Sequence, residues 1–310
     1  MNSKPALDEL FERRVTFPDI EPQDRLARLV GLDEHKERLT KVLGLLVNPF
    51  GLHTWAEQFH PQARAALDTV LRRPPLAVLA GDVGSGKTEL AETIGDAVAR
   101  QENIDITLYP LSLATRGQGR VGEMTQLVSA AFDYTIEAAE KLKNRSGKAR
   151  GAVLLLIDEA DALAQSRENA QMHHEDRAGV NAFIRGIDRI ANQKLPAAVL
   201  MCTNRLKALD PAVQRRAAEV LTFGRPDDTQ RHYLLSTKLA GLDLPPAAIQ
   251  ELVKLTGPRQ SGAPGFTFSD INQRLIPAII LSAYPHKAVE PRIALMTAQA
   301  MAPTPAFQDR

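Results

Sequence analysis

Apolar positions change register along the middle of this chain. Short apolar runs at Leu76–Leu79, Ile106–Tyr109, Val153–Ile157, Val199–Thr203 and Val220–Phe223 have the length of buried strands. Between them, apolar residues recur at helical spacing. Leu90, Ile94, Ala97 and Val98 share one face. Met124, Leu127, Val128, Ala131 and Ile136 share a second, and Val180, Phe183, Ile184 and Ile187 a third. Apolar strands separated by amphipathic helices predict an α/β fold whose parallel sheet is covered on both sides. Ahead of this region, Asp33 stands where it would cap a helix carrying Leu39, Val42, Leu43 and Leu46. Trp55 and Phe59 fall one turn apart. Pro61 opens a further helix with Leu67, Val70 and Leu71, and Pro74-Pro75 closes it. Residues 1–24, with Pro18, Pro22 and little periodicity, read as an N-terminal arm or a poorly ordered segment.

The strand pattern stops at Phe223-Gly224-Arg225-Pro226, and the remainder of the chain has a helical pattern. Asp227 and Gln230 have capping-box spacing. Pro245-Pro246 opens a helix that Gly257-Pro258 ends. Gly262–Gly265 reads as a loop, Ser269 as the next cap, and Pro277 as a kink or break in the apolar run around it. A last helix over 288–301 precedes a Pro-rich tail. The expected division is an arm over 1–24, a large α/β domain over 25–225, a small all-helical lid over 226–302 and a tail over 303–310. A length of 310 residues accommodates this.

Composition excludes more than it suggests. The net charge is +1, so bulk electrostatics demand neither nucleic acid nor an acidic membrane. A single cysteine, Cys202, rules out an internal disulfide and fits a reducing compartment. The charged first twenty residues lack the apolar core of a signal peptide. No apolar run approaches the ~20 residues of a membrane span. The expectation is a cytoplasmic protein without membrane association.

The chemistry begins at Gly81-Asp82-Val83-Gly84-Ser85-Gly86-Lys87-Thr88, which fills G-x-x-x-x-G-K-[ST] between a predicted strand and a predicted helix. In such a loop the glycines let backbone N–H groups turn toward a polyphosphate, and the helix start adds its positive dipole end. Lys87 would reach the β- and γ-phosphates of ATP, and Thr88 would hold Mg²⁺. A second strand, Val153–Ile157, ends in Asp158-Glu159, the Walker B arrangement. Asp158 would bind Mg²⁺ through water and Glu159 would act as general base on the attacking water. The letters Asp158-Glu159-Ala160-Asp161 also spell an RNA-helicase signature, but those proteins carry two sheet domains and this chain has room for one. A third strand ends in Thr203-Asn204, where an asparagine can orient the lytic water. Arg215-Arg216 stand at a fixed step beyond it.

Three further features carry other readings. Gly117-Gln118-Gly119-Arg120-Val121-Gly122 matches a dinucleotide fingerprint, yet the first strand of the sheet already bears the phosphate loop, so that reading is set aside. His173, His174 and Glu175, within Arg167–Arg177, lack metal-ligand spacing and read as a polar loop. The basic residues between Lys141 and Arg150 read as a solvated loop.

As a set these motifs resemble an AAA+ ATPase over about residues 25–300: Walker A at Gly81–Thr88, Walker B at Asp158-Glu159, sensor-1 at Asn204 and the arginine pair Arg215-Arg216. The resemblance implies a P-loop domain with a central parallel sheet flanked by helices, with a helical lid after it. It implies ATP and Mg²⁺ as cofactors. It places Val30 and Gly31 in the adenine-contacting turn, and Arg274 as the sensor-2 candidate, although Phe266–Asp270 departs from the usual small-residue pattern. It also implies a homo-oligomeric, commonly hexameric ring, in which Arg215 and Arg216 reach the neighbour's γ-phosphate. An arginine supplied in trans can be worth ~10³–10⁵ in rate. The substrate-gripping pore loop falls on Arg120-Val121-Gly122, with arginine where the family usually has an aromatic.

Three functions are open to such a chain. One is a DNA-directed ATPase of clamp-loader, helicase-loader or branch-migration type, which would need a basic face or an added DNA-binding domain. Another is a nucleotide switch without turnover, which Glu159, Asn204 and the arginines oppose. The third is a protein remodeller. The whole-chain layout is similar to the bacterial single-ring relatives of the pachytene-checkpoint and thyroid-receptor-interactor AAA+ proteins. That resemblance implies disassembly of a HORMA-domain partner bound to a nucleotidyltransferase, switching off CBASS antiviral cyclic-oligonucleotide signalling.

Overall fold

A computed structural model describes residues 10–113, 123–144, 148–161, 174–259 and 262–306. The chain forms two compact units. The first comprises Met1–Arg28, Leu32–Ala80 and Thr88–Thr222, and the second Leu29–Gly31, Gly81–Lys87 and Phe223–Arg310.

The first unit is built on a sheet of six strands: β1 (Val15–Phe17), β2 (Leu76–Gly81), β3 (Asp105–Ser112), β4 (Gly151–Asp158), β5 (Ala197–Thr203) and β6 (Glu219–Phe223). Their order is β1-β3-β4-β5-β2-β6. β2 pairs with β5, β5 with β4, and β4 with β3, all parallel. Every residue of β5 is buried, as is every residue of β4 before Asp158. Burial on both faces is what a parallel sheet under helices requires. The helices α1 (Ile20–Ala27), α2 (Asp33–Val47), α3 (Phe50–Phe59), α4 (Arg64–Leu71), α5 (Lys87–Glu102), α6 (Glu123–Leu142), α7 (His174–Gln193) and α8 (Pro211–Gln214) complete it. Phe132 of α6 and Phe183 of α7 meet edge to face, 5.8 Å between centroids. Gly186 lies where a Cβ would sit 2.3 Å from the Phe132 ring, so only glycine admits that contact.

Residues 10–24 are not a loose arm. β1 pairs antiparallel with β3, making the sheet mixed rather than wholly parallel. Phe11 stacks on Tyr109 at 4.8 Å, and Phe17 is fully buried. A Cβ at Gly95 would lie 2.3 Å from the Phe17 ring, so this α5 glycine makes the groove that Phe17 fills. Arg25 of α1 forks onto Glu89 at 2.8 and 2.9 Å and reaches Glu92 at 2.7 Å, and Arg13 meets Glu92 at 2.6 Å. A three-residue strand is too short to show a period, and Pro22 falls within the first turn of α1, where proline is tolerated. Two other expectations shift. α2 starts at Asp33 itself, with Leu32 at the cap and no side-chain capping bond. No residue of α4 is fully buried.

The second unit holds α9 (Asp228–Lys238), α10 (Pro246–Leu255), a π-helical segment (Asp270–Leu275), α11 (Ile276–Ala283) and α12 (Pro291–Ala300). They close on a core that includes Leu234, Leu235, Leu252, Phe266, Leu275, Ile279 and Ala294. The Asp227–Gln230 capping box forms in both directions. Pro277 does not break the run: it sits at the start of α11, directly after the wide π turns. Ser269 stands at the cap position before Asp270, but its side chain makes no capping bond. The Thr267 hydroxyl accepts the Asp270 N–H at 3.0 Å, and the Asp270 carboxylate accepts the Thr267 N–H at 3.0 Å. Asp270 is buried and also accepts from the Thr304 hydroxyl (2.6 Å), the Thr304 N–H (3.0 Å) and Arg274 (2.6 Å). Burial alone would raise its pKa, but these donors outweigh it and hold the group at about 2.

Replacing Phe17 by alanine should cost about 3 kcal/mol in chemical denaturation, the expected loss for a buried aromatic. A loss no greater than that of exposed Ile20→Ala would show that β1 is not part of the core. Asp270 is depressed in the fold, so its stabilisation is full above its ordinary pKa of 3.8 and fades as pH falls toward about 2. Asp270→Asn should therefore lower the thermal midpoint at neutral pH and flatten its fall across that acid window. Parallel curves for the two proteins would refute the assignment.

Candidate functional site

In the first unit, the parallel register places the candidate side chains at the strand ends. Ala80 of β2 stands beside Thr203 of β5, and Met201 of β5 beside Ile157 of β4. The C-terminal ends of these strands therefore lie along one edge. Thr88, in the first turn of α5, donates its hydroxyl to Asp158 at 3.3 Å. Asp158 also accepts the Glu159 N–H at 2.8 Å. Burial pushes the Asp158 carboxyl up, while the hydrogen bonds from Glu159 and Thr88 pull it down; burial prevails. Glu159 is exposed and has a left-handed backbone (φ 52°), rare for a residue with a side chain and typical of functional turns. A hydroxyl, a carboxylate and a second exposed carboxylate in consecutive reach suit a hydrated divalent cation and a water-activating base.

Asn204 is held by Asp161. The Asp161 carboxylate accepts the Thr203 hydroxyl at 2.7 Å, the Asn204 N–H at 2.8 Å and the Asn204 side-chain amide at 3.3 Å. With its NH₂ engaged, the amide oxygen of Asn204 is turned the other way, so the side chain has one orientation. Asp161 stood in the sequence only as the last letter of a discounted signature. Its position three residues after Asp158 was the available signal. Arg216 makes a two-toothed pair with Asp188 of α7 (Nε 2.7 Å, Nη2 2.9 Å) and donates Nη1 to the Ala212 carbonyl at 3.0 Å. Arg215 is exposed. The sequence left these two arginines equivalent, and the fold separates them.

The phosphate-loop residues from Gly81 to Lys87 belong to the second unit. Gly81 has φ 151°, and a Cβ there would lie 2.1 Å from the Phe223 carbonyl oxygen. Gly84 has φ 71°, and its carbonyl accepts the Ser269 N–H at 3.1 Å. Lys87 is buried, its ammonium donating to the Gly81 and Asp82 carbonyls at 3.0 and 2.7 Å. Ser85 donates to the Asp82 carbonyl at 2.7 Å. Asp82 accepts the Val83 N–H at 3.0 Å and pairs with Arg225 at 2.6 Å. Arg225 had no role in the motif reading. A glycine-shaped loop with a buried lysine at a helix start fits a polyphosphate. Gly31 has φ 70°, and its carbonyl accepts from Gln230, while Val30 packs against this unit's apolar core. Arg274 turns to Asp270 and to the Thr304 hydroxyl at 3.5 Å.

Arg120, Val121 and Gly122 lie outside the described residues, as do the side chains of His173, His174 and Glu175. Lys141, Lys143 and Arg150 are exposed. Among the described residues, no group of three or more potential metal ligands occurs, and no helix is long and apolar enough to cross a membrane.

Residues 77–225 match the ATPase family associated with various cellular activities (AAA). The chain is 82% identical to CD-NTase-associated protein 6 of Escherichia coli (strain MS 115-1) over 310 residues, covering 100% of both. A chain in the solved structure of the E. coli MS115-1 HORMA:CdnC:Trip13 complex is 80% identical, with a TM-score of 0.91 over 98% of this chain and 100% of that one. The solved Rhizobiales Trip13 is 55% identical, with a TM-score of 0.74 over 95% of this chain and 99% of that one. The helix-flanked, mostly parallel sheet and the phosphate loop are those of this group, and the chain belongs to the CD-NTase-associated protein 6 family of AAA ATPases.

Proposed function

We propose that this ATPase works as a homo-oligomeric, six-membered ring that hydrolyses MgATP to pull apart a HORMA-domain protein bound to a nucleotidyltransferase, ending CBASS-type cyclic-oligonucleotide signalling. The observation that carries the partner is the full-length likeness to a chain of the HORMA:CdnC:Trip13 complex.

Within each subunit, the roles rest on chemistry. The loop from Gly81 to Lys87 takes the triphosphate, and Lys87 exchanges its carbonyl partners for phosphate oxygens. Val30 and Gly31 border the base. Thr88 and Asp158 would hold Mg²⁺, which, when bound, screens charge on the phosphate oxygens. Glu159 accepts the proton of the attacking water, and Asn204, fixed by Asp161, orients that water. Arg215 and Arg216 serve the neighbour's γ-phosphate, where a cation stabilises the transition state. Arg274 reports the nucleotide to the lid, and Arg120, Val121 and Gly122 grip the substrate. Local opening of one segment of the partner needs far less work than unfolding it whole, which suits a single ring.

Glu159→Gln should retain ATP, lose turnover by about a hundredfold or more and arrest the ring on its partner. Co-elution of the variant with purified HORMA protein in ATP, beside a steady-state ATPase assay, tests this. Undiminished turnover would remove Glu159 from the base role. Stimulation by DNA and indifference to the HORMA protein would overturn the remodelling reading. Asp161→Ala should cut kcat about ten- to a hundredfold by freeing Asn204, since misplacement of an orienting group is costly. An unchanged kcat would show that Asn204 does not need its anchor.

A further inference from the structure

The second unit contains a charge pair that the phosphate-loop motif does not specify. Arg225 lies between β6 and α9. Its Nε donates to Asp82 Oδ2 at 2.6 Å, and its Nη1 to the Gly265 carbonyl. The two side chains are 13% and 17% exposed. Arg225 Nη2 is buried without a hydrogen-bond partner among the described residues.

Asp82 is the second residue of the loop. Its Oδ1 accepts the Val83 N–H, and its main-chain carbonyl accepts the Lys87 ammonium at 2.7 Å. A carboxylate therefore stands on the residue that holds the phosphate-binding lysine. Such a charge opposes a polyanion, and more strongly where water is excluded. A buried charge stripped of its partner is worse placed than a neutral residue.

We propose that Arg225 is a positioning residue for nucleotide binding. It cancels the charge of Asp82 and so allows a phosphate loop that carries a carboxylate to accept a polyphosphate. This rests on the reading of Gly81–Thr88 as the ATP loop. The same guanidinium ties the loop to the lid segment at Gly265, and four residues on, the Ser269 N–H holds the Gly84 carbonyl. A purely mechanical tether and a charge balance make different predictions when Asp82 is also neutralised.

Affinity for a fluorescent ATP analogue is measured on the full chain carrying Glu159→Gln, so that hydrolysis is silent, with the thermal midpoint without nucleotide as the folding control. Arg225→Ala should weaken binding about tenfold, Arg225→Lys much less, and Arg225→Ala combined with Asp82→Asn should return to within about threefold of the parent. If the combined variant binds as weakly as Arg225→Ala alone, the residue is a tether and the charge balance is overturned. Unaltered affinity in Arg225→Ala overturns it as well. Should Arg225→Ala fail to fold, Arg225→Gln is read by the same criteria. Lys87→Ala separates the two readings: if it keeps full affinity, the ATP-loop assignment fails. Loss in Lys87→Ala with no change in Arg225→Ala defeats only the charge balance.

Discussion

Parallel pairing of β2, β5 and β4 is the constraint on which the first unit's chemistry depends. Parallel strands deliver all their C-terminal ends to one edge of a sheet, which is where such folds place their reactive groups. The register fixes this residue by residue, with Leu155 beside Val199 and Val199 beside Leu76. The pairing is held by burial on both faces, and the small residues Ala77, Ala197 and Ala198 let the covering helices approach. A slip of one residue would move Asp158 relative to Thr203 and invert which side chains face which layer. The apolar composition of these strands therefore constrains the geometry of the site as much as the polar residues at their ends do.

The strands and helices of the sheet were legible because burial on both faces writes continuous apolar runs, and helices over a sheet write a 3.6-residue period. The glycine-lysine loop, Asp158-Glu159 and Asn204 could be singled out because each stands at a short fixed spacing after a strand. Partners were not. Asn204 is held from 43 positions away, Arg216 from 28 and Asp82 from 143. No local pattern encodes such distances, since only the folded topology makes Asp161, Asp188 and Arg225 neighbours of the motif residues. The N-terminal strand was missed for a different reason: its information lies in shape. Phe17 fits because Gly95 leaves room, and a lone glycine in a helix announces nothing by itself.

That N-terminal segment also bears on the electrostatics of α5. Glu89 and Glu92 lie within two turns after Thr88, and Glu92 adds to the forces raising the Asp158 carboxyl. Left alone, these acids would add negative charge to the helix that presents Thr88 to Asp158. Arg25 and Arg13 answer them from residues that the motifs do not include. The guanidinium of Arg25, hydrogen-bonded chiefly to Glu89, has its already high pKa raised further, so its own charge is constant.

One arrangement therefore recurs: a group placed by motif is oriented or balanced by an oppositely charged or hydrogen-bonding partner from a distant segment. The consequences differ with the group. Asn204 needs direction, and a carboxylate that takes both its N–H and its amide leaves a single rotamer. Asp82 is paired by Arg225, and on the proposed reading it needs that cancellation because its charge has the sign of a polyphosphate. Arg216 receives a planar, two-toothed partner, which fixes the plane of the guanidinium but also competes with any anion brought to it. Arg215, exposed one position earlier, meets no such competition from Asp188. Adjacent identical residues thus differ in electrostatic surroundings. A substitution at Asp188 would change the standing of Arg216 while leaving Arg215 as it is.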